Sequence, residues 1–557
     1  MGKFVRTLVT SALPYANGPL HIGHIAGAYL PGDIFVRYNR LKGNDIVYIC
    51  GTDEYGVPIT ISAEKEGKTP QDIVDHFYPI IKDSFDKLGI IFDNFSRTSN
   101  PIHTETAQDF FLKFLEKDLL VKRESEQWYD PEKKMFLPDR YVTGSCPECG
   151  HEGAKGDQCE VCGKWYESVE LKDPISLLSG KTPVLKKTTH WYMKFNEFQD
   201  RLKEFIDTRK DWKNNVINYC KGWLDEGLEE RAITRDLDWG IPVPLDDAEG
   251  KKIYVWFEAV LGYISSTKEW AEKKGDPSLW EKYWKSEDTR LIHFIGKDNI
   301  YFHALMFPAM LMGYGGYVLE DDIPANEFLN LKGSKLSTSR NHAVWLHEYL
   351  EAFPPDPLRY ILAANAPEGK DTEFSWADFQ SKNNNELADI LGNFIHRTLT
   401  FVHKYFDGKV PVQSKLNKSD GVLLTHIEEA VSKTGEAFST FKVRNAVKHM
   451  MDLARAGNKY FNENEPWLTR KSDIERCATT LNMSLQSIKT LAVIAAPIIP
   501  FTSEKIWKFL NLSETLNWEQ AGVTDLKAGH VLNIPEVLFK KIEDEQIEEQ
   551  EQKLNGS

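Results

Sequence analysis

At 557 residues the chain exceeds what one hydrophobic core can organise, so about three to five structural units are expected. No run approaches the ~20 apolar residues of a membrane helix, Met1–Leu8 lacks the apolar stretch of a signal peptide, and a membrane-free cytoplasmic protein is expected. The net charge of −15 argues against indiscriminate nucleic-acid binding, although basic stretches such as Lys181–Lys194 and Lys442–Lys459 leave room for a local RNA-binding face.

Phe4–Leu13 reads as a buried strand ended by Pro14. Ile22–Leu41 then carries apolar residues at helical spacing (Ile22, Ile25, Tyr29, Phe35, Tyr38, Leu41), with a kink expected at Pro31-Gly32 and a stop at Gly43. Ile46–Cys50 is a second strand, and strand–helix–strand implies a parallel sheet with a right-handed crossover. The same grammar returns at Arg290–Ile295, Tyr301–Leu311 and Glu327–Leu331, read as strand, helix and strand. Between these halves lies a turn-rich segment, 118–232. An insertion splitting one nucleotide-binding unit is the reading that follows.

From about Asp378 the pattern turns helical, with amphipathic runs at Asn384–His403, Gly421–Phe441, Val443–Phe461 and Arg476–Ala496, as an all-α bundle requires. The acidic, Gln-rich Lys541–Lys553 reads as a solvated helix or a disordered tail.

Four of the seven cysteines fall in the insertion as Cys146-x-x-Cys149 and Cys159-x-x-Cys162. Paired Cys-x-x-Cys turns bring four thiolates together, and four thiolates make a closed tetrahedral site for one structural Zn2+ per chain. A catalytic zinc would need an open position that this set does not leave.

Leu13-Pro-Tyr-Ala-Asn-Gly-Pro-Leu-His21-Ile-Gly23-His24 puts two histidines on the first turn of a helix that follows a strand. Imidazole N–H groups and the helix N-terminus both favour phosphate there, and Gly23 lets a nucleotide approach the backbone. Lys332-Gly-Ser-Lys335-Leu-Ser337-Thr-Ser-Arg340 follows a late strand. A flexible loop of lysine and hydroxyls can close on polyphosphate and stabilise charge as it develops. Alone, each motif fits a surface feature; together in a split sheet they become specific.

The two motifs resemble the HIGH and KMSKS signatures of class I aminoacyl-tRNA synthetases. The strings Ser11–His24, Tyr254-Val-Trp-Phe-Glu-Ala259 and His293-Phe-Ile-Gly-Lys-Asp298 resemble the methionyl-tRNA synthetases in particular. A larger insertion would be expected for the leucine, isoleucine or valine enzymes. The resemblance implies an α/β protein: a Rossmann-like parallel-sheet catalytic domain split by a zinc-binding insertion, followed by an all-α anticodon-binding bundle. The units would be 1–117 and 233–331 (catalytic halves), 118–232 (insertion), 332–377 (KMSKS-like loop and stem contact), 378–540 (bundle) and 541–557 (acidic tail).

It further implies a methionine–tRNA ligase that makes methionyl-adenylate from ATP, with Mg2+ accompanying the nucleotide, and charges tRNA(Met), initiator tRNA included. His21, His24, Lys335 and Arg235 would carry catalysis. ATP would be bound by His21, Gly23, His24, Gly296, Asp298, Lys335 and Ser337. Methionine would meet Leu13, Tyr15, Asp53, Trp256, Ala259, Val260, Tyr263, His303 and Phe307, with Asp53 on the ammonium and the aromatics on the thioether. Asn393, Arg397, Pro466 and Trp467 would read the anticodon. Some relatives continue past such an acidic segment into a dimerising domain; here a monomer is expected. The chain departs from the signature at Leu336 and at Thr338, where the family carries a second lysine.

Overall fold

In a computed structural model the chain is described at residues 4–137, 141–156, 159, 161–162, 166–332 and 342–555. The apolar run at the N-terminus forms strand β1 (Arg6–Ser11), whose last four residues are fully buried. It is the middle strand of a parallel sheet with β2 (Asp45–Thr52), β3 (Asn94–Arg97), β4 (Thr289–Gly296) and β5 (Ala325–Asn326), in the order β5-β4-β1-β2-β3. The chain lays β2 and β3 to one side of β1, then returns after the insertion to add β4 and β5 on the other. The order therefore reverses between β1 and β4, and such a switch point opens a crevice at the carboxyl ends of the strands.

The helix after β1 is continuous from Ile22–His24 through a π-helical turn, Ile25–Tyr29, to Leu30–Leu41. The helix is unbroken at Pro31-Gly32. Pro31 sits in the first turn of the last segment, and the wider π turn ahead of it takes up the disturbance. Gly32 lies against Tyr48, where a Cβ would come within 2.5 Å of the phenol oxygen. The expected strand Glu327–Leu331 is present only as Leu329–Leu331, which pairs with Thr372–Phe374; it is Ala325–Asn326, just before the expected span, that joins the main sheet.

The insertion holds more strand than its turn-rich sequence suggests. Leu120–Asp130 and Val184–Met193 form a long antiparallel ladder whose outward charged residues hide the alternation. A three-stranded sheet of Val142–Ser145, Glu152–Lys155 and Lys172–Ser176 carries the cysteines, and helices Gln199–Thr208 and Asn214–Glu226 return the chain.

The bundle is helical as expected. Trp376–Ser381, π-helical Lys382–Gly392 and Asn393–Tyr405 run on as one helix, followed by Lys418–Ser439, Val443–Glu463, Ile474–Ala495 and Pro500–Phe509. Ile474–Ala495 is buried from Cys477 onward and forms its axis. The acidic tail is neither disordered nor fully solvated. Asp544–Asn555 is a helix, Ile542 and Ile547 are buried, and Gln380 Nε2 donates to the Ile542 carbonyl and to Asp544. Two isoleucines among the acids suffice to seat it. Among the described residues no helix is long and apolar enough to cross a membrane.

Candidate active site

The crevice at the ends of β1 and β4 is a cleft of about 490 Å³. Its walls come from segments far apart in the chain: Leu13 and Tyr15 after β1, His21, Gly23 and His24 on the helix, Asp53 after β2, and Gly296 and Asp298 after β4. Trp256, Ala259, Val260, Tyr263 and His303 complete the apolar side. Thirteen residues expected at the site thus face one cavity only because the sheet brings five segments together.

His21 caps the helix, and His24 is its third residue. Each ring nitrogen Nδ1 accepts the other residue's backbone N–H, at 3.4 and 3.2 Å, and the rings stack with centroids 3.6 Å apart. This reciprocal cap explains the three-residue spacing. It also sets the tautomer: with Nδ1 accepting, a neutral ring carries its proton on Nε2. Burial, with the neighbouring His24, holds His21 down to about 2, and burial holds His24 down to about 4, so both are neutral donors at pH 7. The helix N-terminus adds its partial positive charge.

Asp53 is buried, and its Oδ1 accepts the Tyr55 backbone N–H at 3.2 Å. Burial, then the nearby Glu258 and Glu54, push its carboxyl well above the usual carboxylate range. Among the described residues no Lys, Arg or His is ion-paired with it. A buried acid in a cleft without a cation is suited to receive one from a ligand. Around it, His303 Nδ1 donates to the Asn299 carbonyl (2.9 Å), which leaves Nε2 to accept the Tyr263 hydroxyl at 2.7 Å and locks both rings. Trp256 meets Tyr15 edge-on and stacks flat on Phe302 at 3.8 Å.

Two expected residues stand elsewhere. Arg235 lies over the Tyr254 ring at 3.9 Å, donates to the carbonyls of Ala232 and Thr234, and lines a neighbouring cavity. Phe307 is fully buried behind Tyr263 and His293. The physical reason is the π turn Phe302–Met306: its extra residue breaks the i, i+4 relation that would put Phe307 on the face of His303. Lys335, Ser337, Thr338 and Arg340 lie outside the described residues. The segment beyond them returns onto the first histidine: Trp345 bridges His21, and the Ile22 N–H donates to the Val344 carbonyl.

Sequence reasoning missed Tyr29, Glu327 and the Phe302 platform. Paired π turns at the cleft were the available clue, but π turns have no sequence signature strong enough to read.

The four cysteine sulfurs lie within 4.8 Å of one another, with Cys146–Cys162 at 3.8 Å and Cys149–Cys159 at 3.7 Å. A tetrahedron with metal–sulfur bonds of about 2.3 Å has edges of about 3.8 Å, so the donor set fits one closed thiolate-bound metal ion. Gly150, at φ 73°, turns the chain between the first pair and His151, whose carbonyl accepts the Cys146 N–H.

On the bundle, Asn393 is exposed and Arg397 is half-buried one turn later. Arg397 donates to Asn462 and to the Asn458 carbonyl and covers the Phe461 ring at 4.2 Å. Trp467, 41% exposed, leans on the same Phe461 at 6.3 Å, and Pro466 is buried beneath it. Arg397 and Trp467 thus share one aromatic platform.

A family model described as "tRNA synthetases class I (M)" matches residues 7–399, and one described as "Anticodon binding domain of methionyl tRNA ligase" matches 410–557. The methionine–tRNA ligase of Bacteroides fragilis is 54% identical over 99% of this chain and 81% of its own length. That of Thermococcus onnurineus is 53% identical over 98% and 75%. The solved Mycobacterium tuberculosis methionyl-tRNA synthetase, in complex with methionyl-adenylate, superimposes with a TM-score of 0.81 at 25% identity, over 96% of this chain and 99% of that one. Two family models in tandem, and identity above one half across almost the whole length, decide the matter: the chain belongs to the methionine–tRNA ligase family of class I tRNA synthetases.

Proposed function

We propose that the cleft is where this ligase condenses methionine with ATP. The methionine carboxylate attacks the α-phosphorus, the bond to the β-phosphate oxygen breaks, and pyrophosphate leaves with Mg2+. A ribose hydroxyl at the 3′ end of tRNA(Met), initiator tRNA included, then displaces AMP. The observation that carries this reading is the meeting, in one cleft, of two Nε2–H donors with a buried, unpaired Asp53 beside an apolar box.

In this reading His21 and His24 hold the phosphates, with Gly23 allowing close approach. Gly296 and Asp298 receive the ribose; a Cβ at Gly296 would come within 2.6 Å of the Asp298 carboxylate oxygen and push that side chain from its position. Asp53 pairs with the α-ammonium. Leu13, Tyr15, Trp256, Ala259, Val260, Tyr263 and His303 enclose the thioether, with Phe307 as backing. Lys335 and Ser337 act on the pyrophosphate, a reading supported by the described residues that flank them: Leu329 and Asn330 line the cleft, and Trp345 lies against His21. Arg235 assists by moving from Tyr254 toward the cleft that Tyr254 also lines. Asn393, Arg397, Pro466 and Trp467 read the anticodon. The units follow the boundaries at 118, 233, 332, 378 and 541, and the protein works as a cytoplasmic monomer.

Methionine-dependent ATP–pyrophosphate exchange, run against each amino acid in turn, tests the assignment. Exchange driven by leucine or valine instead of methionine would sink it. Homocysteine should be activated measurably but less well, since one missing methylene in an apolar pocket is worth only about 1–3 kcal/mol. Rejection beyond roughly 10,000-fold at activation would contradict an apolar pocket.

The cysteine cluster is assigned as structural Zn2+, which supplies folding energy to a small sheet with little core of its own. Elemental analysis should return one zinc per chain, and chelation should disorder the insertion before activity falls. Zinc-free protein with an intact insertion would refute the assignment.

A further inference from the structure

The insertion is tied to the catalytic unit by more than its two chain crossings. Residues Trp212–Asn215, at the start of the helix Asn214–Glu226, are clasped onto the segment 321–327 that leads through β5 to the cleft wall. Trp212 Nε1 donates to the Asp321 carbonyl at 2.7 Å. Lys213 Nζ donates to Asn326 Oδ1 (2.6 Å) and to the carbonyls of Ala325 and Glu368 (3.2 Å each). Asn215 Nδ2 donates to Glu327 Oε1 at 2.9 Å. Residues 327–330, immediately downstream, line the cleft.

Asn326 passes this grip across the floor of the site. Pro31 has no N–H to give to the carbonyl of Gly27, four residues back in the helix, and Asn326 Nδ2 donates to that carbonyl at 3.0 Å. Gly27 belongs to the π turn and lines the cleft just behind His24. On the opposite side Glu327 takes the Lys297 ammonium at 2.8 Å, beside Gly296 and Asp298. One buried amide therefore joins the inserted loop to the histidine-bearing helix, and one carboxylate joins it to the turn after β4.

We propose that Lys213 and Asn215 of the insertion are positioning residues for ATP, acting through Asn326 on the Gly27 carbonyl and through Glu327 on the Lys297 turn. This rests on reading the cleft as the nucleotide site. The chain Lys213–Asn326–Gly27 sets the depth of the π turn under the phosphates, and Asn215–Glu327–Lys297 sets the turn under the ribose. The methionine box meets these chains only at the far end of the Lys297–Asn299 turn, where His303 donates to the Asn299 carbonyl, so the larger effect falls on the nucleotide.

The test is steady-state pyrophosphate exchange on the full chain, with ATP and methionine varied separately. Lys213→Met and Asn215→Ala should raise KM for ATP about tenfold, as expected from lost buried hydrogen bonds, with KM for methionine within about twofold. Asn326→Asp keeps an acceptor for Lys213 but can no longer donate to Gly27. It should raise KM for ATP alone, at unchanged zinc content and melting temperature. ATP KM within twofold of the parent in Asn326→Asp and Lys213→Met would overturn the proposal. So would equal rises for both substrates with a lowered melting temperature, because these residues would then be merely structural. A parent protein inactive with methionine would instead defeat the reading of the cleft itself.

Discussion

Replacing His24 with alanine should lower methionine-dependent pyrophosphate exchange about 100- to 1,000-fold, the loss typical when a preorganised donor is removed from charge that grows in the transition state. The expectation follows from the cap. Because both Nδ1 atoms are occupied by backbone N–H groups, the working donors are the two Nε2–H groups, held at a helix N-terminus in a half-buried wall. The tautomer gives the experiment a second arm. Glutamine places its amide nitrogen near the position of Nε2, and asparagine near that of Nδ1, so His24→Gln should retain more activity than His24→Asn. The reverse order would place the donor on Nδ1 and undo the argument. Exchange within a few-fold of the parent in His24→Ala would remove the pair from phosphate binding altogether. Lys335→Ala should fall in the same range, since its proposed role is toward the same departing pyrophosphate.

Trp467→Ala should separate the two ends of the molecule. Stacking of a base on an aromatic ring is worth ~1–3 kcal/mol, so aminoacylation of tRNA should drop about 5- to 150-fold. Pyrophosphate exchange needs no tRNA and should stay at the parent level. The geometry supports a contact residue: Trp467 is 41% exposed, while its neighbour Phe461, which it shares with Arg397, is buried and supplies the platform. Arg397→Ala should add a loss of its own, because it removes both a charge and the bonds to Asn458 and Asn462. If Trp467→Ala loses both activities together with thermal stability, the residue is core. If it keeps both, the anticodon is read elsewhere.

How far the sequence reached depended on whether a feature was local. The paired Cys-x-x-Cys, the His-x-x-His on a helix start, the buried strands and the amphipathic helices of the bundle are each specified within a few turns of chain. Capping, period and ligand spacing act over that range, and these features stand in the structure as read. Resemblance carried the rest of the cleft, which residue patterns alone would have left as ordinary core: nothing local distinguishes Trp256 or Tyr263 from any packed aromatic.

What only the tertiary structure decided was the outcome of long-range competition. Pro31 interrupts the helical ladder, yet the helix runs on unbroken: a π turn precedes it, and Asn326, nearly three hundred residues away, donates to the Gly27 carbonyl that Pro31 cannot serve. Phe307 shares a helical spacing with His303, but a second π turn rotates it into the core. Glu327–Leu331 has the pattern of one strand but became a cleft wall and a short pairing outside the main sheet, since β4 pairs with Ala325–Asn326 before it and Thr372–Phe374 takes Leu329–Leu331. The acidic tail looked solvated until the first bundle helix offered a seat for Ile542 and Ile547. By itself the sequence determined which elements form and which chemistry they carry. Their register at the cleft, and the insertion's hold on it, were settled by hydrogen bonds between segments that are neighbours only in the folded chain.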